Sequence, residues 1–96
     1  MQLIPVDHTI TKPVEGKKVY AEDNREIMHI KLQAGEEVKE HDSPKHVFIF
    51  VKTGEVEFTV SWEKHIISAD KVLYMEPYER HALKAISDVT ILVMKC

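Results

Sequence analysis

The stretch "GEEVKEHDSPKHVFIFVKTGEVEF", Gly35 to Phe58, sets His41 and His46 just ahead of five consecutive apolar residues, Val47 to Val51. "VFIFV" is apolar at every position, as expected of a central strand covered on both faces. After a turn at "KTG" the chain alternates, so that Val56, Phe58 and Val60 fall on one face. A strand, a tight turn and a second strand make a hairpin, and the rest of the chain repeats that pattern.

Upstream, "REIMHIKL" puts Met28, Ile30 and Leu32 on one face and Ile27, His29 and Lys31 on the other, before Gly35 ends the strand. Downstream, "SWEK" interrupts and "HII" and "DKVLYM" resume the strand pattern. Pro77 in "EPYERH" removes a ladder donor and fixes a turn, and "HALKAI" and "VTILVM" follow as two short strands around "SD". "HALKAI" also fits one helical turn, which is too short to stand alone. Before Arg25 the chain is punctuated by Pro5 and Pro13, with edge strands expected near Leu3 to Val6 and Lys18 to Ala21. No stretch holds a helical period over three turns, so the expectation is an all-β protein built as a sandwich or barrel.

Composition narrows the function classes. The 96 residues suit one domain spanning 1–96, with room for one core and one pocket. A net charge of -3 and lysines scattered among acids leave no basic stripe, which argues against nucleic acid as a partner; Lys17-Lys18 is the one adjacent basic pair. No apolar run approaches the roughly 20 residues that cross a bilayer, so no membrane partner is expected. "MQLIPVDHTI" lacks the pattern of a secretory signal, and Cys96 is the one cysteine, so the expected location is cytoplasmic and no internal disulfide is possible.

Two spaced motifs carry a family resemblance. Gly35 is followed after five residues by His41, and Gly54 closes the first motif, with Ser43 and Val47 between them. "ADKVLYMEPYERHAL" supplies the second, with His81 as its histidine. From about Ile30 to Met94 the chain resembles the small single-domain cupins. Their first motif reads Gly, five residues, His, one residue, His, three or four residues, Glu, six residues, Gly. Their second reads Gly, five residues, Pro, one residue, Gly, two residues, His. Ser43 stands at the second histidine and Val47 at the glutamate, while Asp70, Glu76 and Tyr78 replace Gly, Pro and Gly.

The resemblance implies a double-stranded β-helix barrel of the jelly-roll group, an internal pocket, a divalent metal such as Zn, Ni, Mn or Fe, and pairing into a homodimer through an outer sheet. The implied metal ligands are His41, His81 and, in place of the motif glutamate, His46. Two neutral imidazoles alone would hold an ion weakly. Counting back from Gly54 puts Val47 at the ligand position, and adjacent strand residues face opposite ways, so His46 turns inward only if a bulge near Pro44 or a longer turn at "KTG" resets the parity.

Ser43 is a candidate ligand contact or a turn residue, Val47 a pocket residue in place of an anionic ligand, and Glu76 an acid or base at the rim or an exposed loop carboxylate. Trp62 sits at a hairpin tip, as a partner contact or folded over its own hairpin. Two functions follow as expectations: a metal-binding pocket acting on a small organic ligand, or a metal-free module recognising a small anionic or sugar-like molecule. No catalytic residue or specific reaction is singled out.

Overall fold

The computed structural model describes residues 1–96 and is all-β, with nine strands. They are β1 (Val14–Glu22), β2 (Arg25–Leu32), β3 (Glu37–His41), β4 (Val47–Thr53), β5 (Val56–Val60), β6 (Glu63–Ile67), β7 (Val72–Met75), β8 (His81–Ala85) and β9 (Val89–Lys95). They form two antiparallel sheets, ordered β1-β2-β9-β4-β7 and β3-β8-β5-β6. No helix is long and apolar enough to cross a membrane.

The core lies between the sheets, and the two-residue period fills it. Val47, Ile49 and Val51 of β4, Val56 and Phe58 of β5, and Val89, Ile91 and Val93 of β9 are all buried. Phe58 is fully buried, a burial that contributes about 2–3 kcal/mol. The alternate residues of β4, Phe48 and Phe50, face outward and stay half-buried. β4 is thus central within its sheet but covered on one face, because no element packs over Phe48 and Phe50.

Three strands carry one extra residue each. Against β2, the register of β1 shifts between Lys18 and Tyr20. Along β3, Val38 pairs with Leu83 and His41 with His81, so three steps on β3 match two on β8. Along β4, Val51 pairs with Ile91 and Thr53 with Thr90, leaving Lys52 unmatched.

The expectation for the N-terminus is met in part. Lys18 to Ala21 lie within β1, which begins earlier, at Val14, whereas Leu3 to Val6 form no strand. Instead the segment crosses the outer face of β2: the His8 and His29 rings meet edge to face at 5.0 Å, and Lys31 Nζ donates to Thr9 O at 2.6 Å. His29 is on the outer face as its parity predicts, yet this strap leaves it only 5% exposed.

Candidate functional site

His41 and His81 come together because two irregular steps aim them at the same space. Val38 faces the interior, and strict alternation would send His41 outward. The extra residue between them on β3 turns His41 back inward, directly opposite His81 on β8. The ring centroids lie 4.2 Å apart at an interplanar angle of 64°. His81 is 5% exposed, while His41 stands exposed at the mouth.

Both rings are oriented alike. His41 Nδ1 is 2.9 Å from Lys39 O and His81 Nδ1 is 3.0 Å from Glu79 O. A carbonyl only accepts, so each Nδ1 carries a proton and donates, and in the neutral ring Nε2 is then the lone-pair acceptor. Burial pushes the His81 pKa down and the neighbouring charges of His41 and Lys95 add to this, against the opposing hydrogen bond to Glu79. The pair is accordingly neutral at physiological pH at its buried member.

These imidazoles border a cavity of about 230 Å³ between the sheets, with His41 at its mouth. Its walls are apolar, formed among others by Ile30, Val47, Ile49, Phe58 and Val93, and its third polar group is Lys95. Lys95 follows Ile91 and Val93 on the inward stripe of β9 and pairs directly with Val47. Nothing in the motifs marks Lys95; the signal was the strand parity of "ILVMK", which puts residue 95 on the side of 91 and 93. Two larger grooves, of about 330 and 400 Å³, lie on the opposite face of the β3-β8-β5-β6 sheet and are open and lined mainly by polar residues.

The other candidates lie elsewhere. His46 faces outward: its backbone N–H donates to Cys96 O at 2.9 Å and its carbonyl accepts from Cys96 N at 3.0 Å, which fixes the register that turns Val47 inward. Its ring stacks on Tyr74, with Nδ1 2.6 Å from the phenol oxygen. No bulge forms near Pro44; an extra residue does fall in "KTG", at Lys52, yet His46 still faces outward, because the backbone pair with Cys96 sets the register at its end of β4. His46 is therefore not a partner of His41 and His81.

Ser43 is buried but serves a turn. Its Oγ accepts from Lys45 N at 3.2 Å and its carbonyl from Tyr78 N at 2.7 Å, tying the β3–β4 loop to the β7–β8 loop. Glu76 is exposed and does not reach the cavity; its backbone N–H donates to Glu79 Oε1 at 2.9 Å. Val47 lines the cavity. Tyr78 adopts φ +67° where the family motif carries glycine, and Trp62, at φ +73°, is 92% exposed rather than folded over its hairpin.

The donor set does not fit a divalent ion held by this chain alone. No group of three or more His, Cys, Asp or Glu residues converges anywhere in the molecule. At the cavity two imidazoles stand where three protein ligands are usual, a valine occupies the next position, and an ammonium of like charge faces the same space.

Comparison with known proteins agrees with this architecture. The cupin domain pattern matches residues 28–95. An RmlC-like cupin family protein with a double-stranded β-helix fold from Methanocaldococcus jannaschii superposes with a TM-score of 0.87 at 19% identity, covering 100% of this chain and 90% of that one. An RmlC-like cupin from Desulfovibrio desulfuricans gives 0.87 at 20% identity, over 100% and 96% of the two chains. A conserved Streptococcus pyogenes protein of unknown function gives 0.80 at 19%, over 99% and 94%. A comparison with curated proteins found no match. With a matching domain pattern over most of its length and the double-stranded β-helix fold, the chain belongs to the cupin family.

Proposed function

We propose that this cupin is a small-molecule-binding protein whose ligand occupies the cavity between the sheets and needs no metal ion to bind. The observation that carries this is the pairing of two imidazoles, each held by a backbone carbonyl, with a predominantly apolar space between the sheets. Apolar walls supply affinity by excluding water, and the two Nε2 lone pairs accept from a hydroxyl or amide of the ligand, fixing its orientation. Binding is the role these groups support, since the apolar walls and the imidazole pair together hold and orient a ligand. A lone exposed cysteine accords with a cytoplasmic setting, and pairing of two copies through the outer face of the larger sheet completes the proposal.

Thermal-shift screening of the intact chain against small organic molecules tests it. Hits are expected to raise the melting temperature of the wild type and to lose most of that effect in His81→Asn and Ile49→Trp, the second filling the cavity. Hits that survive both changes would move the site elsewhere. Metal content of protein purified without an affinity tag is expected to be far below one ion per chain; a stoichiometric ion would overturn the metal-free assignment.

A further inference from the structure

The charges around the cavity identify which ligands it takes. Lys18, Lys45 and Lys95 converge on Glu26 at the end of the barrel. Lys18 Nζ lies 3.1 Å and Lys45 Nζ 3.9 Å from its two carboxylate oxygens. Lys95 is directly opposite Glu26 across the β2–β9 ladder, and its charge reaches that carboxylate only from beyond 4.0 Å, farther than Lys18 and Lys45. Three cations thus share one acid, and the one left over borders the cavity.

The remaining polar groups facing that space offer no counter-charge. His41 and His81 present lone pairs, and Asp42, the other acid close enough to influence His81, is exposed. A partly desolvated ammonium is costly without a partner, and a ligand carboxylate would supply one. The same carboxylate would be repelled by the imidazole lone pairs, which call for a hydrogen-bond donor. A single ligand satisfies both when its carboxylate and its donor are separate groups.

The geometry points to a small hydroxycarboxylate with an apolar tail, its carboxylate on Lys95, its hydroxyl donating to the His41–His81 pair, and its tail among Ile49, Phe58 and Val93. Size limits the class: about 230 Å³ holds roughly seven or eight water-sized groups of about 30 Å³ each. This assignment rests on the cavity being the ligand site.

Three probes of matched shape separate the two: 2-hydroxy-3-methylbutanoate, 3-methylbutanoate and the neutral 3-methylbutane-1,2-diol, titrated by heteronuclear NMR into the intact chain. Affinity is expected to fall in that order. Lys95→Met should weaken both acids at least tenfold while leaving the diol within about threefold, and Lys95→Arg should retain the preference for acids. The spectrum of each variant reports its folding, and acid binding to the wild type at rising ionic strength gives a second readout free of mutation. If the diol binds as tightly as the acids, or Lys95→Met leaves the acids unchanged, the anion assignment fails and the cavity remains the site. If no probe shifts the resonances of Ile49, Phe58 or His81, the cavity assignment fails with it.

Discussion

His81 and His29 are both 5% exposed, and for both, burial is the first cause of a pKa below the ordinary value of about 6.5. Above that pH neither the folded nor the unfolded chain protonates them, so no penalty arises. As the pH falls below it, the unfolded chain takes up protons that the folded chain refuses, and stability is lost until the folded imidazoles titrate. The melting temperature is expected to drop between pH 7.5 and 5.5, and His81→Asn should flatten the slope; an unchanged slope would show that His81 contributes nothing to it. Asp7, Glu26 and Asp70, held below the usual carboxylate range first by hydrogen bonds from Thr9, Lys18 and Ser68, act in a separate window below about pH 4.5. One residue also decides the metal chemistry. Val47 faces the cavity where His46 does not, so Val47→His should create the missing third imidazole and let Zn or Ni raise the melting temperature by more than about 4 °C, roughly 1 kcal/mol for a chain this size. His46→Ala should lose about 1 kcal/mol with its Tyr74 hydrogen bond and leave metal response unchanged.

At the scale of elements, the turn between β4 and β5 is the most constrained join. Gly54 sits at φ +79°, and a Cβ there would lie 2.0 Å from Asp88 O, a backbone atom that cannot step aside. Gly54→Ala is expected to cost at least 2–3 kcal/mol in urea denaturation, comparable to the about 3–5 kcal/mol of Phe58→Ala in the core. A mild effect at Gly54 would mean that the β8–β9 turn moves freely. These strands were legible from the sequence because alternation such as "GEVEF" reports directly on a half-buried surface. What alternation does not report is an extra residue. Counting by twos along β3 sends His41 outward, and only the shift between Val38 and His41 returns it to the cavity. The family motif singles out His41 without counting strand positions, since a motif carries the bulge implicitly, whereas His46, one position from a motif residue, depends on a parity that "VFIFV" does not decide. Lys95 is hidden in the sequence for a related reason: strand parity gives its direction but not the barrel space it enters.

Across the whole molecule, the apolar outer face of the larger sheet is the feature the fold leaves uncovered. Ile27 pairs with Met94, Met94 with Phe48, and Phe48 with Tyr74, making one row across four strands; Leu92, Phe50 and Val72 make the next. Val72 is 57% and Tyr74 44% exposed, although both occupy an outward face otherwise built of large apolar side chains. The N-terminal strap covers the neighbouring His29 and Lys31 and leaves these rows open. Under the proposed pairing a second copy covers this face: a two-fold axis through β4 would bring each apolar row onto its equivalent and bury the phenylalanines. Sedimentation equilibrium of the wild type is therefore expected to give the mass of two chains, and Phe50→Lys with Leu92→Glu to give one. The cavity opens to the opposite side of this sheet, so the monomeric variant should keep its response to cavity ligands. A wild type that sediments as a single chain at every concentration would remove the second copy as the occupant of this face.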